Sequence, residues 1–445
     1  MKAQPKIEVG ILACEELQFV LAGSFEYNNT PFYGGEFHAT IQHNQVVIKN
    51  KLGSEKKAGS IHFSPIGNNS FFELKNVTIG VDFHWEQQEN QRFKGILKLV
   101  PENGKVRAIN LIDLEEYLKS VISSEMSEAG SLNLLKAHAV ISRSWLLAQI
   151  EKPKLRAQDE IYQSLFETED EIIRWYDRKD HHNFDVCADD HCQRYHGITK
   201  EQTDKAVQAV EETLGEVLMF DDKICDARYS KCCGGVTESF ENVWGPVQHE
   251  YLTQVVDGNN IQTGFNMDLK DEANAGNWIR NTPPAFCNTA GKNMLEVLPW
   301  FDRATTDFFR WRVEYSQNEI AELLKIRSGI DFGEIINLQP VERGVSGRII
   351  KLKITGTQKT ITVGKELEIR KWLSKSHLYS SAFVIDCLET ENGIPQKFVL
   401  TGAGWGHGVG LCQMGAAVMG EEGYSYTEIL NHYFKGAQLR KYYEH

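Results

Sequence analysis

Glu125 stands at the junction of two predicted helices, and two cations, Lys136 and Arg143, lie on the second of them. The cations are seven residues apart, about two helical turns, so they project from the same side. Because burying two cations is costly unless an anion meets them, we expect Glu125 to fold back towards that face. A carboxyl placed there could act as a general acid and base. The same pattern also fits an ordinary ion pair between helices.

A second group of candidate residues lies in the stretch HHNFDVCADDHCQRYHG, which begins at residue 181. It supplies two imidazoles and two thiols suited to tetrahedral zinc: His181, Cys187, His191 and Cys192. His182 and His196 are further candidates. Four protein ligands would leave no position for an activated water, so such a site would be structural. Because the spacing is tighter than in common zinc fingers, partly exposed side chains without a metal are an equal alternative.

Alternating glycines surround one tryptophan and one histidine near the C-terminus. These residues are Gly402, Gly404, Trp405, Gly406, His407, Gly408 and Gly410. Gln413 then opens a helix of small residues. The context excludes a dinucleotide-binding loop, because no βαβ unit with a later acidic residue follows. Glycines at this density allow the backbone to lie close to a ligand.

Polar residues around a glycine pair form a third candidate region. Gly234 and Gly235 indicate a turn or a close approach of two backbones. The polar residues around them are Tyr229, Ser230, Thr237, Glu238 and Ser239. With Trp244 nearby they could line a carbohydrate cleft, since sugar hydroxyls need hydrogen bonds and ring faces need aromatic groups. A well-bonded surface hairpin explains the same composition.

Two helices are predicted to position Glu125. The apolar residues of the first recur with the helical period: Leu114, Tyr117, Leu118, Val121 and Ile122. Asp113 can cap its start. The second helix, within residues 131–150, is apolar almost all round and is therefore predicted to run through a domain core. A later helix is predicted at Asn318–Lys325.

The remaining patterns predict an α+β fold in several segments. The first hundred residues alternate with the period of strands, which predicts a β-rich N-terminal module over residues 1–104. A core with a buried helix pair and mixed strands is predicted over residues 105–258, and it resumes at residues 396–445. Between these two parts we expect an inserted α+β subdomain, residues 259–395.

Length and composition limit the classes of function. A chain of 445 residues exceeds one usual core, and its net charge of −13 argues against nucleic-acid and anionic-membrane partners. No apolar run approaches about 18 residues and no export signal is visible, so the chain is either cytoplasmic or a mature form whose leader was removed. Nine cysteines fit buried or metal-bound thiols better than a disulfide framework. A bond between the adjacent Cys232 and Cys233 would be strained.

Three stretches resemble the stage II sporulation protein D family, which also includes amidase-enhancer proteins. They are EYLKSVISSEMSE with LLKAHAVISRSW, DARYSKCCGGVTESFENVWG, and GAGWGHGVGLCQMGA with GYSYTEILNHYFKG. Their order and spacing match, and the resemblance covers roughly residues 105–440. That family is similar to lytic transglycosylases that act on the glycan strands of peptidoglycan, particularly strands stripped of their stem peptides.

The resemblance implies roles for individual residues. Glu125, in SSEMS, occupies the position of the catalytic acid, and Lys136 and Arg143 match basic positions of the same groove. Further residues of the motifs are expected to contact substrate: Tyr229, Gly234, Gly235, Thr237, His407 and Gln413. Some members have metal ligands where this chain has His181, Cys187, His191 and Cys192, which favours a structural zinc that catalysis does not require.

The implied reaction needs only one carboxyl, whereas glycoside hydrolysis usually needs two. We therefore expect a lytic transglycosylase of the cell envelope, if a leader absent from this sequence directs it there. Glu125 would have to be protonated, with Lys136 and Arg143 held at a distance. The chief alternative is a protein that binds peptidoglycan and activates a cell-wall amidase without cutting glycan. A zinc hydrolase centred on Cys187 and Cys192 is disfavoured, because the ligand set is closed.

Overall fold

The structure is a computed structural model. It describes residues 2–80, 86–127, 129–156, 164–176, 181–189, 191–199, 203–259, 264–290, 294–298, 303 and 305–444. The chain divides into two compact units. The first comprises Met1–Glu151, Asp180–Val217 and Arg440–His445, and the second comprises Lys152–Lys179 and Leu218–Leu439.

Among the described residues, ten strands precede the first helix and later helices lie between runs of strands, which is typical of an α+β protein and confirms the predicted class. The strands are β1 Lys2–Ala3, β2 Lys6–Cys14, β3 Glu16–Tyr27, β4 Thr30–Gln42, β5 Gln45–Asn50, β6 Glu55–Ala58, β7 Ile61–Ile79, β8 Gln87–Phe93, β9 Ile96–Glu102, β10 Lys105–Asp113, β11 Leu165–Glu167, β12 Glu171–Arg174, β13 Val186–Cys187, β14 Glu216–Phe220, β15 Lys223–Ile224, β16 Tyr229–Ser230, β17 Arg310–Ser316, β18 Ile335–Arg343, β19 Ile349–Gly356, β20 Thr360–Gly364, β21 Phe383–Glu391, β22 Ile394–Ala403, β23 Leu411–Cys412, β24 Gln438–Lys441 and β25 Tyr443–Glu444.

The α-helices are α1 Leu114–Glu125, α2 Leu132–Arg156, α3 Asp204–Glu212, α4 Glu272–Arg280, α5 Gln317–Ser328, α6 Glu366–Trp372, α7 Gln413–Glu421 and α8 Tyr426–Tyr433. Two 3₁₀ turns lie at Phe240–Asn242 and Leu295–Val297. Helix α5 extends beyond its predicted bounds at both ends, because Ser316 and Glu319 form a capping box at its start and the left-handed Gly329 ends it. No helix in the described part of the chain is long and apolar enough to cross a membrane.

The first unit is built on a ten-stranded sheet with the order β13-β2-β10-β9-β7-β3-β4-β5-β6, in which β8 also pairs with β7. Alternate residues of these strands point into one core, as the period-two pattern predicted. Buried phenylalanines pack there, with ring centroids 5.9 Å apart for Phe19 and Phe63 and 5.2 Å apart for Phe72 and Phe93. The expected boundary after residue 104 falls between β9 and β10, which are hydrogen-bonded neighbours in this sheet.

Helices α1 and α2 follow the sheet in the same unit. The five apolar residues that predicted α1 are all buried. Asp113 precedes α1 but makes no side-chain capping bond, whereas the Ser131 hydroxyl accepts a hydrogen bond from the N–H of Leu134 at the start of α2. Most of the first half of α2 is buried, including Leu134, Val140 and Ile141. The prediction of a helix that runs through a core is confirmed.

A buried ion pair joins α1 to α2. The Arg143 side chain is 0% exposed, and its Nε and Nη2 donate to the two carboxylate oxygens of Glu115 at 2.9 and 2.7 Å. The same carboxylate accepts hydrogen bonds from the Tyr443 hydroxyl and the Gly215 N–H. Nη1 of Arg143 donates to the carbonyl of Glu216 at 3.0 Å. Because every contact is a hydrogen bond of defined direction, the pair fixes how the two helices meet.

The second unit contains the five-stranded sheet β11-β12-β20-β19-β18 and the three-stranded sheet β17-β22-β21. Their apolar faces and helices α5 and α6 enclose a core that includes Trp311, Leu324, Leu352, Phe383 and Phe398. The short parallel pair of β16 and β23 brings Tyr229 opposite Leu411. The segment predicted as an inserted subdomain, residues 259–395, lies within this unit.

The buried pair generates a stability prediction. Arg143→Met leaves the Glu115 carboxylate buried without its cation, so we expect the free energy of unfolding of the first unit to fall by about 3 kcal/mol or more. Lys136→Met is the matched control. Its ion pair with Glu212 is partly exposed and contributes little. Urea unfolding curves of both variants test this, and equal losses for the two would contradict the role of the buried pair.

Candidate active site and metal clusters

Glu125 is the last residue of α1, and its side chain is half-buried. The helix ends there because the next residue, Met126, takes an extended conformation while its N–H still bonds to the carbonyl of Ile122. Oε1 of Glu125 accepts a hydrogen bond from the backbone N–H of Arg194 at 3.1 Å. The carboxyl is therefore held in place by a segment distant in sequence, yet part of its surface still reaches solvent.

His138, on α2, lies close enough to Glu125 for the carboxylate charge to affect its protonation. Burial lowers the pKa of His138 to about 4, against the opposing effect of the Glu125 charge. Its Nδ1 lies 3.2 Å from the Ser142 hydroxyl. Near neutral pH the imidazole is uncharged and so adds no positive charge beside the carboxyl. Sequence pattern alone does not indicate this neighbour, since a single histidine on an apolar helix is typical of a core.

The two predicted cations have anionic partners in other helices. Lys136 forms an ion pair with Glu212 of α3, and Arg143 pairs with Glu115 of α1. Burial and use of its donors inside the fold give Arg143 a structural role in place of the predicted substrate contact. The sequence showed that the cations share one side of α2, but it could not show which glutamate meets each one. The Lys136 side chain keeps 18% of its surface exposed and stays a predicted substrate contact.

The four predicted zinc ligands lie together. Their ligand atoms, from His181, Cys187, His191 and Cys192, are all within 4.8 Å of one another. The Cys192 Sγ is 3.5 Å from Nε2 of His181 and 3.5 Å from Nδ1 of His191. The side-chain hydrogen bond with Cys192 is the main cause that lowers the pKa of Cys187. Two thiols and two imidazoles at these distances fit a tetrahedral ion with four protein ligands.

The remaining candidates in this stretch lie apart from the group of four. His182 is exposed, and His196 is buried at 2% exposure. Three of the four cluster residues are partly exposed, and the fourth, His191, is exposed to solvent. Because four ligand atoms are already assembled, the arrangement is closed and gives a metal no open position for a reacting water.

The residues that directly follow this cluster in sequence contact Glu125 and helix α1. Gln193, the residue after Cys192, lies with its side-chain Oε1 3.2 Å from the Tyr117 hydroxyl, and its Nε2 donates to the carbonyl of Ser142 at 3.3 Å. Arg194 follows and donates its N–H to Glu125. Tyr195 then stacks on Tyr117 at 4.9 Å. The cluster therefore borders the short segment that orients the Glu125 carboxyl.

The second unit contains the other predicted contacts, of which Tyr229 and His407 are partly exposed. Desolvation, reinforced by the charge of Arg228, lowers the pKa of His407 well below its usual range, so the ring is neutral. Its Nδ1 accepts the N–H of Val409 at 3.0 Å, and Trp244 packs edge-on at 4.9 Å. Tyr229 and His407 stay predicted substrate contacts.

The glycine pair serves packing within the second unit. Gly234 and Gly235 have φ values of +79° and +102°, and a Cβ on Gly235 would lie 2.6 Å from the ring of Trp278. Thr237 is fully buried, donates to the carbonyl of Thr253 at 2.8 Å and accepts the N–H of Val255 at 2.7 Å. For these three residues the structure gives a packing role in place of the predicted contact with substrate. Gln413 begins α7 and is 3% exposed.

A second group of potential ligands was not predicted. Cys233, Asp257, Cys287 and Cys412 are all buried, and their ligand atoms lie within 4.8 Å of one another in the second unit. None of the nine cysteines, all of which are in described segments, forms a disulfide. The four residues are scattered over 180 positions of sequence, so spacing offered no signal for this group.

Two parts of the chain match known protein families. Residues 102–220, which contain Glu125 and the His181–Cys192 cluster, match the family described as Stage II sporulation protein. Residues 238–410 match a domain of unknown function (DUF8618).

Individual relatives extend the likeness over most of the chain. An uncharacterized protein of Brachyspira hyodysenteriae is 24% identical over 425 residues, which cover 95% of this chain and 89% of that protein. Stage II sporulation protein D of Bacillus amyloliquefaciens is 23% identical over 75% of each chain. The amidase enhancer of Bacillus subtilis is 25% identical over 53% of this chain, which spans 32% of that protein's length. Residues 102–220 therefore carry the stage II sporulation protein domain, and the wider chain is similar to stage II sporulation protein D and to an amidase enhancer.

Proposed function

We propose that this protein is a lytic transglycosylase that cleaves the glycan strands of peptidoglycan, with Glu125 as its single acid and base. The observation that carries the proposal is the Glu125 carboxyl, half-buried at the end of α1 and oriented by the Arg194 N–H. It lies within the segment that matches the Stage II sporulation protein family, and one relative is named an amidase enhancer. Both names support a role in cell-wall metabolism.

In the first step Glu125 acts as the acid. Its carboxyl gives a proton to the oxygen that bridges two sugars, the bond from that oxygen to C1 of muramic acid breaks, and an oxocarbenium-like centre develops. The proton must be on Glu125 when the strand binds. A neutral His138 supports this state because it places no positive charge beside the carboxyl, and the charge of Arg143 is balanced by Glu115.

In the second step the same group acts as the base. The Glu125 carboxylate takes the proton of the muramic acid C6 hydroxyl, and O6 attacks C1 to form a 1,6-anhydro ring. The attacking group belongs to the same sugar, so its high effective concentration replaces the water that a second carboxylate would otherwise have to activate. Atoms and charge balance, and Glu125 ends the cycle protonated.

Lys136 in the first unit and, separately, Tyr229 and His407 in the second unit are proposed to contact glycan, since each keeps part of its side chain exposed. Such a substrate lies outside the cytoplasm, so we assign the protein to the cell envelope. Peptide-stripped strands are the preferred substrate class in this proposal.

A structural zinc at His181, Cys187, His191 and Cys192 completes the proposal. The ion would cross-link the loop and would take no part in the reaction, because its four ligands are all protein groups. The effect of the cluster on Glu125 follows from the order of residues along the chain. A fixed Cys192 holds Gln193 and Arg194 in place, and thereby the N–H that orients Glu125.

A second candidate function is supported by the amidase-enhancer relative. In that case the protein binds peptidoglycan and activates a cell-wall amidase, and it cuts no glycan. The two functions share every binding residue and differ in whether Glu125 transfers a proton.

Replacing the acid should abolish glycan cleavage. Glu125→Gln keeps the size and the hydrogen bond from Arg194 but cannot give up a proton, so we expect the rate of cleavage to fall by about 10²–10⁴-fold with strand binding retained. Mass spectrometry of peptide-stripped strands, with 1,6-anhydro ends as the product, measures this.

Glu116→Gln is the control, because Glu116 lies on the same helix but pairs with Lys119 at its surface. It should leave cleavage unchanged. Undiminished product from Glu125→Gln would overturn the assignment of the acid. Wild-type protein that binds strands and accelerates an amidase, yet forms no anhydro ends, would establish the second candidate function.

Loss of the zinc cluster should loosen the segment that orients Glu125. In Cys187→Ser we expect one zinc ion per chain to be lost, faster hydrogen exchange of the Arg194 N–H, and a fall in kcat larger than any change in KM. Cys14→Ser, which removes a partly exposed thiol of β2 outside the cluster, should change none of these. Unchanged exchange at Arg194 in a zinc-free Cys187→Ser protein would contradict the positioning role.

A further inference from the structure

The buried group in the second unit joins four segments that are far apart in sequence. Cys233 precedes the Gly234–Gly235 turn, Cys412 ends β23, and Asp257 and Cys287 come from the chain between them. The three thiols are between 0% and 2% exposed, and Asp257 is 0% exposed. A buried carboxylate is costly unless it is paired or coordinates a metal, and here three thiols surround it.

The distances suit one metal ion. The Sγ atoms of Cys233 and Cys287 are 3.7 Å apart. Zinc–sulfur bonds of about 2.3 Å place the sulfur atoms of a tetrahedral site about 3.8 Å from each other. A disulfide would require about 2.05 Å. In iron–sulfur clusters the protein ligands are divided among two or four irons, so ligands on different irons lie further apart than the 4.8 Å within which all four donors fall here.

Hydrogen bonds around the group are those that metal-bound ligands receive. The Sγ of Cys412 accepts the backbone N–H of Cys233 at 3.2 Å and of Gly415, in the first turn of α7, at 3.4 Å. The carboxylate of Asp257 accepts the N–H of Cys287 at 2.9 Å and the hydroxyl of Tyr433 at 2.6 Å. Such outer bonds orient a ligand and favour its deprotonated form.

Two arginines, the buried Arg348 and the partly buried Arg310, lie against the same loop. Nη1 of Arg310 donates to the carbonyl of Gly234 at 3.1 Å, and Nη1 of Arg348 donates to the carbonyl of Cys233 at 3.2 Å. Three thiolates and one carboxylate would carry more negative charge than a divalent ion neutralises, so neighbouring cations favour the occupied state.

We propose that Cys233, Asp257, Cys287 and Cys412 bind a second structural zinc ion, distinct from the one at the His181–Cys192 cluster. Four protein ligands close the site, so the ion does no chemistry on a substrate. It fixes the turn at Gly234 against the start of α7, and so orders the backbone that carries Tyr229 and the glycine-rich segment before Cys412.

The zinc content of the full chain, expressed with zinc and purified under reducing conditions, tests the proposal. We expect two ions per wild-type chain, one in Cys287→Ser and one in Cys187→Ser. Cys225→Ser removes another buried thiol of the same unit, 1% exposed and outside the group, and should keep both ions.

Cobalt(II) loading identifies the ligands even if Cys287→Ser folds poorly. Cys187→Ser, whose second unit is unaltered, should bind one cobalt ion with strong thiolate-to-cobalt charge-transfer absorption. A cobalt-free Cys187→Ser protein would overturn the proposal. So would a wild-type chain lighter by two hydrogens, with Cys233 and Cys287 recovered in one cross-linked peptide.

The two zinc sites can fail independently. One ion per wild-type chain that persists in Cys187→Ser and disappears in Cys287→Ser supports the second site and removes the first. One ion per wild-type chain that disappears only in Cys187→Ser supports the first site and removes the second.

Discussion

The buried pair of Glu115 and Arg143 is the contact on which the geometry around Glu125 depends. It joins the first turn of α1 to the middle of α2 through two parallel hydrogen bonds, so rotation of either helix breaks at least one of them. Tyr443 and Gly215 bond to the same carboxylate and bring the end of the chain and the residues after α3 to this point. The helix junction that carries Glu125 is thereby fixed from the opposite end of α1.

At the other end of α1, the backbone of a segment distant in sequence orients Glu125. Arg194 contributes its N–H to Glu125, and Gln193 and Tyr195 on either side contact the Tyr117 side chain. The buried cation of α2 pairs with Glu115, whereas the neutral His138 lies near Glu125. The charge that stabilises the fold is therefore kept apart from the group proposed to react.

Periodicity predicted the strands of the first hundred residues, the two helices and the α+β class, because each depends on local burial patterns that tertiary contacts reinforce. Residue type and close spacing predicted the group of His181, Cys187, His191 and Cys192, which are neighbours in sequence. It could not assign Arg143 to Glu115, nor reveal the Cys233–Asp257–Cys287–Cys412 group. Those contacts join residues from distant segments, and residue type alone does not specify the partner. For the same reason the packing role of Thr237 could not be predicted from the sequence.

A structure of the Glu125→Gln protein with a bound glycan fragment is the most direct test of the central claim. The account predicts that the side-chain amide at position 125 lies within about 2.6–3.2 Å of the oxygen bridging two sugars, with the muramic acid C6 hydroxyl on the same side. A glycan bound with its bridging oxygens out of reach of residue 125 would contradict it, and the protein would then be a binder of peptidoglycan that leaves the glycan intact.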